Sequence, residues 1–128
     1  MGGEIFIYVI SGAVLLIFVR RYFITRSIQD YAPREVEEML LSGRSIMLLD
    51  VRTEKEWSQS HLKGAHHIPL GELGRRMHEL EKHKNREIIC YCQSGNRSLT
   101  AAMRLKRLGF SVSHMKGGMA EWNFQHLK

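Results

Sequence analysis

Glu87-Ile88-Ile89-Cys90-Tyr91-Cys92-Gln93-Ser94-Gly95-Asn96-Arg97-Ser98 is the stretch on which the reading of this chain turns. An apolar run suited to a buried strand is followed by a thiol, a short polar loop with one glycine, an arginine, and then the helical pattern Leu99 to Leu108. A loop leading into a helix gathers backbone N–H groups that have no intrahelical partner, and the helix dipole adds partial positive charge at the same place. These residues describe an anion cradle with a nucleophile at its floor. A thiol there loses its proton more readily than a free cysteine. The reading expects Cys92 to be an exposed, ionised sulfur at the bottom of a ring of amide hydrogens.

Working outward, Ile46-Met47-Leu48-Leu49 is a second continuous apolar run, as expected of a strand covered on both faces. Asp30-Tyr31-Ala32-Pro33 marks a helix entry, Val36, Met39 and Leu40 recur at helical spacing, and Gly43 ends that helix. Glu54 to Ser60 predicts a short helix, and His66-His67-Ile68 a short strand stopped by Pro69. Leu73, Met77 and Leu80 mark a further helix. After the helix that Gly109 closes come a strand at Val112 to His114 and a last helix at Met119 to Phe124. This alternation predicts an α/β domain with a mainly parallel central sheet flanked by helices. Ligands of such sheets bind beyond the carboxyl ends of the strands. Cys92 stands at one such end, and Asp50 and Arg52 stand at another.

The N-terminal segment reads differently. Ile5 to Val19 carries no charge and no polar face. A bilayer core needs roughly 20 helical residues, which Gly2, Gly3, Tyr22 and Phe23 extend toward, with Arg20 and Arg21 able to snorkel. A secretory signal would place its basic residues before the apolar run and a small-residue cleavage site after it; here they follow it. Myristoylation requires Ser or Thr at position 6, where the chain has Phe6. The expectation is one transmembrane helix with its basic flank (residues 1–23), ahead of a domain at residues 24–128. Arg20, Arg21 and Arg26 would keep that domain on the cytoplasmic side of the cell membrane.

The 128 residues hold 19 Lys+Arg against 13 Asp+Glu, a net charge of +6. The cations are spread along the chain rather than blocked, which suits an anionic small substrate and argues against a nucleic-acid partner. Arg75-Arg76 and Lys82-His83-Lys84 read as solvated faces. Cys90 and Cys92 are the two cysteines; two apart on one strand they make a strained disulfide, and without a second ligand pair they are not a metal site. Cys90 is expected to point into the core, and a free thiol fits a reducing compartment. His66 and His67, adjacent on a strand, face opposite sides, which counts against a metal pair.

Several motifs in order then give the chain a family likeness: Leu49-Asp50-Val51-Arg52, Glu56-Trp57, His61-Leu62-Lys63-Gly64-Ala65, Ile68-Pro69-Leu70, the Cys92–Ser98 loop, and Lys116-Gly117-Gly118-Met119-Ala120-Glu121-Trp122. Over about residues 27 to 128 the chain resembles the rhodanese-like family, and with its anchor it is similar to membrane-tethered single-domain rhodaneses. The resemblance implies a sulfurtransferase: Cys92 takes a sulfane sulfur from thiosulfate or a persulfide donor and passes it to a thiol or protein acceptor, or to cyanide, with no cofactor beyond the Cys92 persulfide. Gln93, Ser94, Gly95, Asn96, Arg97 and Ser98 would form the substrate-binding loop, with Asp50 and Arg52 bracing the fold beside it. Gly95 allows the turn, Arg97 supplies a cation to substrate or loop, and Ser98 caps the helix. Related phosphatases and fold-sharing arsenate reductases have one more residue between Cys and Arg; the four here favour sulfur over a tetrahedral oxyanion. The alternative is a membrane-tethered persulfide carrier or docking module with little thiosulfate turnover.

Overall fold

In the computed structural model, which describes residues 1–126, a long helix α1 (Gly2–Arg26) leads through Ser27 and Ile28 into strand β1 (Gln29–Tyr31). There follow α2 (Pro33–Leu41), β2 (Ile46–Asp50), α3 (Glu54–Gln59), β3 (His66–His67), α4 (Leu73–Arg76), β4 (Glu87–Tyr91), α5 (Asn96–Arg107), β5 (Val112–Met115) and α6 (Gly118–Gln125). Residues 127 and 128 of the expected domain lie outside the described residues.

The five strands form one parallel sheet in the order β1-β5-β4-β2-β3. Period-2 alternation divides it into two cores. Met47, Leu49, Ile88, Cys90 and Val112 face Ala101, Ala102 and Leu105 of α5, with Leu73 and Leu80. Ile46, Leu48, Ile89, Tyr91 and Met115 face Val36 and Met39 of α2 and Met119 of α6. After β2 the chain crosses to the β3 edge; after β4 it crosses the other way, to β5. That divergence opens a crevice at the carboxyl ends of β2 and β4, the usual ligand position of such sheets. The registers Asp50↔Tyr91 and Cys90↔His114 bring Arg52, Cys92 and His114 to this one end.

Four local expectations change. Gln29–Tyr31 is an edge strand paired with β5, ahead of the helix entry at Ala32 and Pro33; three residues are too few to show alternation, and only the distant partner specifies them. Leu40 is exposed, and Pro33, Val36 and Met39 form the buried face of α2. The helix expected at Leu73, Met77 and Leu80 is one turn of α-helix carrying Leu73, preceded by a tighter 3₁₀ turn at Leu70–Glu72 and followed by a 3₁₀ stretch, Met77–His83, that carries Met77 and Leu80; spacings of three and four serve either geometry. Helix α5 begins at Asn96, three residues before its apolar pattern.

Helix α1 runs unbroken through the apolar stretch 5–19, and Gly2–Ile24 is long and apolar enough to cross a membrane. At 1.5 Å per residue it spans about 35 Å. It stands clear of the sheet except near its end, where Ile24 packs against the α5-side core. A chain starting at residue 24 keeps that contact and the whole sheet. Urea unfolding of residues 24–128 is expected to give one cooperative transition in a soluble protein; aggregation or a non-cooperative melt would show that the domain needs α1 to fold.

Candidate active site

The strand β4 ends at Tyr91, and Cys92 opens the loop that curls into α5. The curl is set by Gly95, whose φ of 107° lies in the left-handed region and which is the N-cap of α5. Its N–H donates to Cys92 Sγ at 3.0 Å. Ser98 Oγ lies 3.6 Å from the same sulfur. Burial pushes the Cys92 thiol up. Hydrogen bonds from the Ser98 hydroxyl and from the N–H groups of Ser98, Gly95 and Ser94 outweigh it, so the thiol lies below its ordinary value. Cys90, two residues earlier, has burial and the neighbouring Cys92 charge against it and no such donors; its thiol is pushed up to about 12.

The sulfur is held by amide hydrogens as the sequence predicts, but it is not exposed. Cys92 has 0% relative exposure. The loop closes over it because the sulfur is the acceptor on which these donors converge, and each shortens the curl. Gln93, Ser94 and Asn96 form the exposed rim.

The loop is also clamped from behind. Met119 N–H donates to Cys92 O at 2.9 Å and Ala120 N–H to Gln93 O at 3.0 Å, so the first turn of α6 is spent on the loop's carbonyls. Gly118 makes this approach possible: its φ is 58°, and a Cβ there would lie 2.3 Å from Cys92 O.

Arg97 serves the loop rather than the space above it. Its guanidinium makes a two-pronged ion pair with Glu56, Nη1 to Oε1 at 2.7 Å and Nη2 to Oε2 at 2.9 Å. The Glu56 carboxyl also accepts from Thr53 N–H at 3.1 Å, and Thr53 Oγ1 accepts in return from Glu56 N–H, capping α3. The Arg97 hydrogen bonds, opposed by burial and aided by Thr53, hold Glu56 at about 2.

Asp50 and Arg52 are buried and spent on each other. Arg52 Nη2 donates to Asp50 Oδ2 at 2.7 Å and to Ser60 O at 2.7 Å, and its Nε reaches both carboxylate oxygens. They join β2 to the end of α3 beside the loop. Ser98 differs from the expected helix cap: Gly95 occupies that position, and the Ser98 hydroxyl, one turn in and buried, donates to Gly95 O at 2.9 Å. His66 Nε2 pairs with Glu79 and His67 Nε2 with Arg52 O, so the two rings diverge.

A model of the rhodanese-like domain family matches residues 32–125. The chain belongs to that family. A Bacillus subtilis protein whose name gives it a sulfur-carrier role, YrkF, is 38% identical over 97 residues, 75% of this chain and 51% of that one. Another from the same organism, YtwF, bears a sulfurtransferase name and is 30% identical over 95 residues, 74% of this chain and 90% of its own. The crystal structure of a rhodanese-related protein from Thermoplasma volcanium superposes with a TM-score of 0.69 at 25% identity, covering 76% of this chain and 92% of that one. This rhodanese domain thus spans about half the length of the first relative and nearly all of the second.

Three features of the site escaped the sequence reading: Glu56 as the partner of Arg97, the role of Gly118 as the point of contact with the loop, and His114 beside Ser98. Glu56 and Arg97 are 41 positions apart, and nothing in local spacing pairs them.

The ion pair and the clamp each make a prediction. Glu56 titrates at about 2 when folded against an ordinary 4.5, so its pairing stabilises the fold fully above pH 4.5 and is lost as pH falls toward 2. Side-chain exposures of 34% for Arg97 and 27% for Glu56 keep the worth of the pair near that of a surface ion pair, about 0.2–1 kcal/mol. Glu56→Gln is expected to lower stability at pH 6 by that amount and to converge with wild type near pH 2, as measured by urea unfolding across the range. Gly118→Ala is expected to cost about 1–3 kcal/mol and to slow alkylation of Cys92, since the loop must move off α6; an unchanged alkylation rate would remove the clamp from the account.

Proposed function

We propose that this rhodanese domain is a sulfurtransferase in which Cys92 is the nucleophile and carries the sulfur as a persulfide. One observation carries the reading: among two neighbouring cysteines, only Cys92 has its sulfur ringed by N–H and O–H donors that favour the anion. With thiosulfate as donor, the Cys92 thiolate attacks the outer sulfur. The Sγ–S bond forms, the S–S bond of thiosulfate breaks, and sulfite leaves with the electron pair. A thiolate or cyanide then attacks the outer sulfur of the persulfide, forming a new persulfide or thiocyanate and returning the Cys92 thiolate. Both states are anionic, and preorganised loop donors stabilise both. Gln93 to Ser98 bind the donor through the backbone, while Arg97, tied to Glu56, keeps the loop curled. Because Sγ is covered, the exposed Gln93–Ser94 rim must part to admit a donor. Helix α1 anchors the domain to the cell membrane, with Arg20 and Arg21 holding it on the cytoplasmic face.

A second reading is a persulfide carrier fed by a partner protein, and the YrkF relative bears a carrier name. Thiosulfate:cyanide transfer by the full chain in detergent separates the two. Turnover lost by more than about a hundredfold in Cys92→Ser is the expected result. Persulfide accepted from a protein donor alone supports the carrier, and turnover retained without Cys92 overturns both.

A further inference from the structure

Behind the loop, side chains from three elements meet in one file, of which the sulfur-transfer chemistry above uses only Ser98. His114 projects from β5 on the face that carries its register partner Cys90, and it is 6% exposed. Its Nδ1 lies 3.3 Å from Ser98 Oγ on α5, and its Nε2 lies 2.6 Å from Asp30 Oδ1 on β1. Ser98 Oγ in turn lies 3.6 Å from Cys92 Sγ. We propose that Asp30, His114 and Ser98 form a hydrogen-bonded relay that sets the direction of the Ser98 hydroxyl, with His114 the positioning residue that turns it toward the Cys92 sulfur.

The proton count carries the inference. A carboxylate only accepts, so at 2.6 Å from Asp30 the His114 Nε2 bears hydrogen and donates. The state of Nδ1 is then the one variable. Without a hydrogen, Nδ1 is an acceptor and competes with the sulfur for the single hydroxyl proton of Ser98, as Gly95 O does at 2.9 Å. With a hydrogen, Nδ1 donates to Ser98 Oγ. One competitor is gone, the hydroxyl is polarised, and only Gly95 O is left to compete with the thiolate for its hydrogen bond. A hydrogen on Nδ1 thus turns the Ser98 hydroxyl toward the sulfur, and Asp30 fixes the ring from its far side. The groups facing His114 are Asp30 from β1, Ser98 from α5, Cys92 from the loop and Cys90 from β4; Glu87 hydrogen-bonds to Ser113, the residue before it on β5, whose side chain faces the other side of the sheet. Asp30, 84 positions from His114, is also its register partner across the β1–β5 pairing, which sets the two side chains on one face of the sheet.

The relay rests on Cys92 being a reactive thiolate but not on any sulfur donor, so its test uses alkylation and leaves thiosulfate out. The rate of iodoacetamide modification of Cys92 in the full chain is followed against pH, the site of modification being read by peptide mass. Ser98→Ala and His114→Gln are each expected to slow modification on the acidic limb by about two- to tenfold, the worth of one hydrogen bond, and to move the midpoint upward. In the Ser98→Ala background, His114→Gln is expected to have no further effect, because its influence passes through that hydroxyl. Asp30 is half exposed on an edge strand, and Asp30→Asn tests the far end with little risk to folding. It is expected to shift the profile in the same direction, and Asp30→Glu to restore it. Equal losses from His114→Gln with and without Ser98, or an Asp30→Asn profile that superimposes on wild type, would overturn the relay. Either result leaves the Cys92 persulfide reading standing, since that reading falls only if sulfur transfer survives Cys92→Ser.

Discussion

The Cys92 sulfur and the Gly95 amide are 3.0 Å apart, and the organisation of the site follows from keeping them there. An anionic sulfur under a closed loop is costly to bury unless donors replace the water it has lost. The chain supplies them from one short curl: the amides of Ser94, Gly95 and Ser98 and the Ser98 hydroxyl. These are groups that the start of α5 leaves without intrahelical partners. The strand–loop–helix order thus delivers the donors and the sulfur together, and a helix terminus that would otherwise need a cap is satisfied by the sulfur.

Such a curl does not hold itself. Its carbonyls point backward and are taken up by the first turn of α6, at 2.9 and 3.0 Å, through a contact that only glycine at position 118 allows. Its arginine points sideways and is taken up by Glu56, which the Thr53 cap fixes on α3. Asp50 and Arg52 fix the other end of α3 through the Ser60 carbonyl. The loop therefore has one face toward the sulfur, one toward α6 and one toward α3, leaving Gln93, Ser94 and Asn96 at the surface. Cys90 shows what the sheet does to a thiol without this shell: it lies in the same core and is pushed up to about 12.

Sulfur transfer asks for a group that is anionic before and after the reaction, and a shell of fixed dipoles meets that need without reorganising. It also explains why Arg97 can be spent on structure. The backbone donors gather at the sulfur, so the Arg97 cation is free to lock the loop's shape. The long apolar helix meets the domain near its end, where Ile24 packs against the α5-side core.

How much of this was legible follows from the range of the interactions. The β2 and β4 runs, the Cys92 loop, the Gly95 turn and the apolar length of α1 are local patterns of period and residue type, and sequence alone determined them, along with the family. The β1 edge strand, the cover over Cys92, the Glu56–Arg97 pair, the α6 clamp and the Asp30–His114–Ser98 file depend on partners 16 to 84 positions away by the pairs measured. Ser98 shows the division within one residue: its place three positions beyond Gly95 is written in the chain, but whether its hydroxyl caps a helix or faces a sulfur depends on β5 lying beneath it. Local order fixes which groups stand next to one another along the backbone; only sheet register, decided by burying both faces of β4 at once, fixes which groups meet across it.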